Sequence, residues 1–389
     1  MLSDLGIKIT SNSARNRGWL AVFDIDWAML ISAVLLTFAG LVTMNSFTDG
    51  DYHFSRQLVW LIISIIAFFV ASVIDFRLLR RTSIVVGLFV FSILLLLALF
   101  VFGSTHKGAA LWFNIGGMSF QPVEIIKLIL IIILAKYFSR RHIEIANFRH
   151  IFVSGFYAFS IFVLVFLSPD FGSAMIVFFI WLGLVLISGI PKKHLVVVFT
   201  LGAVVFAGLW FGVFQDYQKA RVKNFLNPLT DIRGTGYNAY QSTIAVGSGE
   251  VLGKGIGYGT QSKLRFLPEY QTDFIFSAFS EEWGFVGVMI LFSIYLLLIT
   301  RILIVAYQGA SNFEILFGSG LAILLISHFF INVGMTIGLL PVTGVPLPFM
   351  SYGGTNLLTN FLGLGILNGM RRYRKTTHSE KMRNEFLGL

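Results

Sequence analysis

Ile84-Val-Val-Gly-Leu-Phe-Val-Phe-Ser-Ile-Leu-Leu-Leu-Leu-Ala-Leu-Phe-Val-Phe102 is 19 residues long and carries no charge. At about 1.5 Å per helical residue it covers the roughly 30 Å of hydrocarbon in a bilayer, and it is too apolar for an ordinary core helix. Outward from it, Ile62–Ile74 and Ile151–Leu167 repeat the pattern. Hydrophobic residues make up 56% of the 389 and charged ones only 12%, with a mean hydropathy of +0.81. A soluble domain carries about 25% charged residues. The chain therefore reads as an all-α polytopic membrane protein, one integral membrane domain over residues 1–389.

Ten spans are expected, at about 27–47, 58–74, 82–103, 122–138, 151–168, 174–190, 195–214, 274–299, 315–338 and 353–370. One set of connecting segments (the N-terminus, 75–82, 139–150, 191–194, 300–313 and the C-terminus) carries 18 basic residues, whereas the opposite short loops carry only Arg56 and Lys107. Lysine and arginine are retained on the cytoplasmic side, so both termini are expected there, with 371–389 a basic cytoplasmic tail. The one long loop, about 215–273 between the seventh and eighth spans, then lies outside. A loop of that length without a domain of its own is usually functional.

Several chemistries are excluded. There is no cysteine, and the seven histidines show no paired metal-ligand spacing. The net charge of +10 sits at membrane edges, which favours topology over nucleic acid as its explanation. The glycine-rich run Gly247–Gly259 fails the P-loop template, because Gly255 follows Lys254 where Ser or Thr is required. Loop flexibility, or amides approaching an anionic headgroup, is the expected use of those glycines.

What remains is a small set of polar groups inside or beside apolar runs. Asp273 ends Gly259–Phe276 just before the eighth span; it reads equally as a helix cap and as a catalytic carboxylate. Glu124 and Lys127 lie one turn apart after Pro122, and ionisable groups at such depth are functional candidates or a self-neutralising pair. Asp170 marks a turn. His328 and Asn332, spaced i,i+4, are expected to bond other helices. At least one of Glu281 and Glu282 should have a buried partner. Leu340–Gly354, with three prolines and three glycines, cannot be one helix and reads as a re-entrant or cavity-lining loop, with an ordinary connection as the alternative.

In their order along the chain these motifs resemble the SEDS family (shape, elongation, division and sporulation). The resemblance rests on Gln121-Pro122-x-Glu124-x-x-Lys127, Ser168-Pro169-Asp170-Phe171-Gly172-Ser173 and Gly236-Tyr237-Asn238-x-x-Gln241-Ser242. It continues through Gly259-Thr-Gln-Ser262, Phe266-Leu-Pro-Glu269-x-x-Thr272-Asp273 and Pro346-x-Pro348-x-x-Ser351-Tyr352-Gly-Gly354. The GTQS and FLPE wording is closer to the RodA branch, which serves elongation, than to the FtsW branch, which serves division.

The resemblance implies a peptidoglycan glycosyltransferase of the bacterial cytoplasmic membrane. Such an enzyme polymerises lipid II, carried on undecaprenyl pyrophosphate, at the outer face, and works with a class B penicillin-binding protein within the elongation machinery. Asp273 matches the family's essential aspartate, and Glu124 and Lys127 match a polar pair in its central cavity. Family members show Arg-Trp where this chain has Leu111-Trp112, so another cation must offset pyrophosphate. Lys107, Lys127 and Lys263 are the candidates, or a divalent cation such as magnesium or manganese; Glu269 and Ser351 complete the expected substrate-binding set. Ten spans with charges facing a cavity also suit a lipid II flippase, a non-enzymatic scaffold is a third reading, and a division-type polymerase is the alternative within the family.

Overall fold

The computed structural model describes residues 25–46, 50–106, 109–115, 118–139, 148–189, 192–212, 219, 225, 236–264, 266–309 and 311–387. Helices occupy each apolar segment. In chain order they are α1 (Trp27–Asn45), α2 (Gly50–Val73), α3 (Thr82–Phe102), α4 (Pro122–Ser139), α5 (Phe148–Leu167), α6 (Phe171–Ile187) and α7 (Lys192–Gly212). After the short α8 (Tyr237–Ser248) and α9 (Thr260–Lys263) come α10 (Ile275–Tyr307), α11 (Asn312–Thr336) and α12 (Gly354–Leu387). Among the described residues, six of these helices (α1, α2, α3, α5, α10 and α11) are long and apolar enough to cross a membrane. The chain is a mostly helical, multi-pass membrane protein.

Burial separates centre from rim. In α11, 67% of the most apolar window is buried, against 22% in α3. Together with α4, buried along nearly its whole length, α11 forms the middle of the bundle. α2 lies along α12, where Gly365 and Gly369 bring the backbones together: a Cβ on Gly365 would stand 2.7 Å from the Phe68 carbonyl. Small residues four apart allow this approach between membrane helices.

The all-helical expectation needs one correction. Ser104–His106 (β1), Ala109–Ile115 (β2) and Met118–Phe120 (β3) form an antiparallel sheet in the order β1-β2-β3. Ser104 faces Trp112, and Phe113 faces Phe120. Aromatic and β-branched residues favour the pleated form, but β1 and β3 have three residues each and β2, reading AALWFNI, does not alternate apolar with polar. Leu111 and Trp112 lie on β2.

Two clasps close one end of the bundle. Asp26 caps α1 by accepting from the Met29 amide, and its carboxylate also accepts from Arg301 on α10 (2.5 Å) and Arg371 on α12 (3.1 Å). Arg80 donates to Ser311 (2.9 Å) and to the buried Glu314 at the start of α11. Between α2 and α3, Asp75 caps a 3-10 turn, and the Arg77 guanidinium hydrogen-bonded to it holds its carboxyl below the usual carboxylate range.

At the other end, α10 is broken at Gly284 (φ 63°, ψ −168°), a conformation open to glycine. The break frees helical donors and acceptors, and the glycine-rich segment takes them up. Lys254 and Gly255 N–H groups donate to the Glu281 and Glu282 carbonyls (3.0 Å each), while Phe285 and Val286 N–H groups donate to the Glu250 and Val251 carbonyls (2.9 and 3.0 Å). The Glu281 side chain accepts from Lys254 Nζ (2.7 Å), and Glu282 accepts from the Gly257 amide (2.9 Å). These glycines therefore serve close backbone pairing rather than flexibility, and those amides are already committed. Both glutamates are partnered, in keeping with the expectation of at least one. Gly253 has φ 81° and a Cβ there would lie 2.1 Å from the Glu282 carbonyl. Gly253→Ala is expected to destabilise the fold by about 1–3 kcal/mol or more, whereas Gly247→Ala, with nothing within 4 Å, should be neutral or stabilising. Thermal unfolding of both variants in the same detergent checks this.

Candidate active site

The site is built from the non-helical chain between α11 and α12. Val345, Leu347, Phe349 and Met350 on it are at most 2% exposed, so its backbone polar groups must be matched inside the protein. They are. Asn332 Nδ2 donates to the Val345 carbonyl (2.8 Å) and Gln57 Nε2 to the Ser351 carbonyl (3.1 Å). Tyr295 donates its hydroxyl to the Pro348 carbonyl (2.5 Å), about 16 Å along α10 from the Gly284 break. A Cβ on Gly40 of α1 would be 2.2 Å from the Met350 carbonyl. The segment is thus a plug entering the bundle rather than an ordinary surface connection.

The chain preceding α10 is held at three successive carbonyls, two by the plug and one by α11. Tyr352 N–H donates to the Gln271 carbonyl (2.9 Å), Ser351 Oγ to the Thr272 carbonyl (2.6 Å), and Asn332 Nδ2 to the Asp273 carbonyl (2.8 Å). The helix-cap reading of Asp273 does not hold: the residue before α10 is Phe274, with no side-chain cap bond. Asp273 is half-buried, and its Oδ2 lies 3.4 Å from where a Cβ on the exposed Gly344 would be.

Ser351 is buried, and its hydroxyl also accepts from the Leu347 amide (2.8 Å), so the structure places it as a clip behind the aspartate. Ser351→Ala removes both bonds and should cost about 1–3 kcal/mol, the penalty for orphaned buried groups, together with a loss of turnover. Unfolding midpoints and initial rates on one preparation measure the two effects.

Beneath the plug lies a buried polar chain. Lys127 Nζ donates to Glu124 Oε1 (2.8 Å) and to His328 Nε2 (3.0 Å). An ammonium only donates, so Nε2 accepts and His328 carries its proton on Nδ1, which donates to the Pro346 carbonyl (3.2 Å). Glu124 Oε2 accepts from Asn356 Nδ2 (2.8 Å), and Asn356 Oδ1 accepts from Asn360 Nδ2 (2.9 Å). His328, read from sequence as a helix-to-helix tie, does bond Lys127 of α4 and also holds the plug at Pro346; Asn332, read the same way, bonds the main chain of Val345 and Asp273. Asp170 caps α6 through the Ser173 amide (2.9 Å) and reaches Gln121 Nε2 at 3.4 Å.

The other expected residues separate. Lys127 has only 1% of its side chain exposed. Lys263 is exposed on α9 and donates to the Gly257 carbonyl (3.4 Å). Lys107 and most of the loop before residue 236 lie outside the described residues. Glu269 is exposed, has φ 52°, and accepts from Thr272 Oγ1 (3.1 Å), beside Asp273 in the chain. Arg56 and Glu269 both act electrostatically on His53, whose ring packs edge-on to Tyr352 at 4.7 Å. Sequence reasoning used Arg56 only for topology; its position four residues before Trp60, on the same face as His53 and Gln57, is the signal it left. Among the described residues no group of three or more His, Cys, Asp or Glu could hold a metal ion.

A family model described as a cell cycle protein, FtsW/RodA/SpoVE, matches residues 19–376. The peptidoglycan glycosyltransferase MrdB of Escherichia coli K12 is 35% identical over 367 residues, covering 94% of this chain and 98% of that protein. Stage V sporulation protein E of Bacillus subtilis is 33% identical, covering 90% and 98%. Among solved structures, a chain of a peptidoglycan synthase complex that coordinates polymerization and crosslinking superposes with a TM-score of 0.77 at 31% identity, covering 90% and 98%. The rod shape determining protein RodA of Thermus thermophilus superposes with a TM-score of 0.68 at 28% identity, covering 90% and 97%.

Proposed function

This chain belongs to the FtsW/RodA/SpoVE family, and from that premise we propose that it joins lipid II units into glycan strands with Asp273 as the general base. It is a peptidoglycan glycosyltransferase of the SEDS family. The reading extends to ten membrane crossings with both termini in the cytoplasm, which puts the clasps of Asp26 and Glu314 inside and Asp273 at the outer face of the bacterial cytoplasmic membrane. Elongation is the proposed role, and a class B penicillin-binding protein the proposed partner.

The observation that carries the catalytic part is the fixing of residues 271–273 at three successive carbonyls with no capping duty for Asp273. Forming the glycosidic bond requires removal of the proton from the acceptor 4-hydroxyl as that oxygen attacks the anomeric carbon, while pyrophosphate leaves from the opposite face. A carboxylate held on a fixed main chain suits the first task. The leaving pyrophosphate needs positive charge. Lys127 is enclosed and committed to Glu124 and His328, so we assign that charge to Arg56, which acts with Glu269 on His53, the ring packed against Tyr352. Magnesium or manganese is proposed only as a companion of the pyrophosphate.

The test uses purified lipid II with the full chain and its transpeptidase partner. Glycan chains should form with the wild type and not with Asp273→Asn. Labelled lipid II crossing liposome membranes without any polymer would instead support a flippase.

A further inference from the structure

We infer that Asn332 is the positioning residue for Asp273, an inference that rests on Asp273 being the base. Asn332 is completely buried on α11. Its amide nitrogen donates one hydrogen to the Asp273 carbonyl and the other to the Val345 carbonyl, each at 2.8 Å. Flipping the amide would turn Oδ1 towards two carbonyl oxygens, so the orientation is fixed. Oδ1 is then left buried without a hydrogen-bond partner. A buried acceptor without a partner is a standing cost. If α11 needed only packing there, a leucine would avoid it, and a serine or threonine hydroxyl would serve one carbonyl. A primary amide is the uncharged side chain whose single nitrogen reaches two acceptors on separate segments.

The place of the clamp matters as much as its chemistry. Tyr352 and Ser351 hold the two residues before Asp273, and both belong to the plug itself. Asn332 grips the Asp273 carbonyl from a central helix and ties it in the same step to Val345, next to Gly344, which borders the carboxylate. One turn earlier on the same helix, His328 holds Pro346 and is bonded to Lys127. α11 thus sets the aspartate and the adjoining plug in one frame. Loss of the clamp frees the main chain of the base without touching its carboxylate, and small misplacements of a reacting group cost about 10²-fold in rate.

The experiment measures kcat and KM for lipid II polymerisation by the full chain with its partner, alongside lipid II binding and melting temperature. Asn332→Asp keeps the shape and removes both donors. It should lower kcat about 10²-fold while KM stays within about twofold. Asn332→Gln, with the amide on a longer arm, should be intermediate. Leu325→Ala, a core truncation on α11 with no bond to the plug, should lower the melting temperature with kcat within about twofold. A wild-type kcat in Asn332→Asp, or a raised KM with kcat unchanged, overturns the inference. Should Asn332→Asp not fold, Asn332→Gln decides by the same split. If Asp273→Asn polymerises at the wild-type rate, the base assignment falls and the inference with it. If Asp273→Asn is inactive but the Asn332 variants turn over normally, the inference alone falls.

Discussion

Asp273→Asn is expected to slow glycan chain formation by about 10³-fold, within the range for loss of a positioned general base. The asparagine side chain has the same shape, and the three bonds that hold residues 271–273 reach main-chain carbonyls, which the substitution leaves in place. Melting temperature and lipid II affinity should therefore be close to wild type. The effect should fall on kcat, because the proton is removed only as the acceptor oxygen attacks. In the wild type, kcat/KM should fall on the acid side as the carboxylate takes up a proton and can no longer accept one. That acid limb should be missing from whatever activity the variant retains.

Lys127→Met is expected to produce the largest loss of stability. It strands the Glu124 carboxylate, 5% exposed, with Asn356 as its remaining donor, and takes the donor from His328 Nε2. Removing one partner of a buried pair costs about 3–5 kcal/mol, because an uncompensated charge stays behind. Glu124→Gln combined with Lys127→Met should recover much of that, since no lone charge is then left. Turnover should fall as well, through His328 and the Pro346 carbonyl it holds. Unfolding of the single and double variants, with rates on the same samples, tests the ordering single worse than double. Equal stability of the two would show that the pair is not the element that matters.

The fold was legible wherever apolar length was the signal. Ile84–Phe102, Pro122–Ser139 and Asn312–Thr336 read as helices because nothing but a helix satisfies the backbone of such runs in lipid. The plug was also visible, because three prolines in Leu340–Gly354 exclude a helix. Other features were not. The sheet of β1, β2 and β3 pairs two three-residue strands with a seven-residue strand that does not alternate apolar with polar, so no period marks it. The use of Gly253 and Gly255 depends on a break at Gly284, some 30 residues further on, and such pairing leaves no local pattern. For Asp273, local sequence offered cap and base equally, since an aspartate before an apolar helix suits either. The proposal of a base rests on where α10 begins and on bonds from Asn332, Ser351 and Tyr352, all distant in the chain. Lys127 was legible only in part: its charge suggested a phosphate ligand, whereas its enclosure by Glu124 and His328 could not be read, because burial is not written in residue type.

The most direct measurement compares wild type and Asp273→Asn on the same lipid II at matched occupancy, reading bound substrate and glycan product together. The proposal predicts that both bind lipid II alike and that only the wild type builds chains. Chains formed by the variant at the wild-type rate would contradict it.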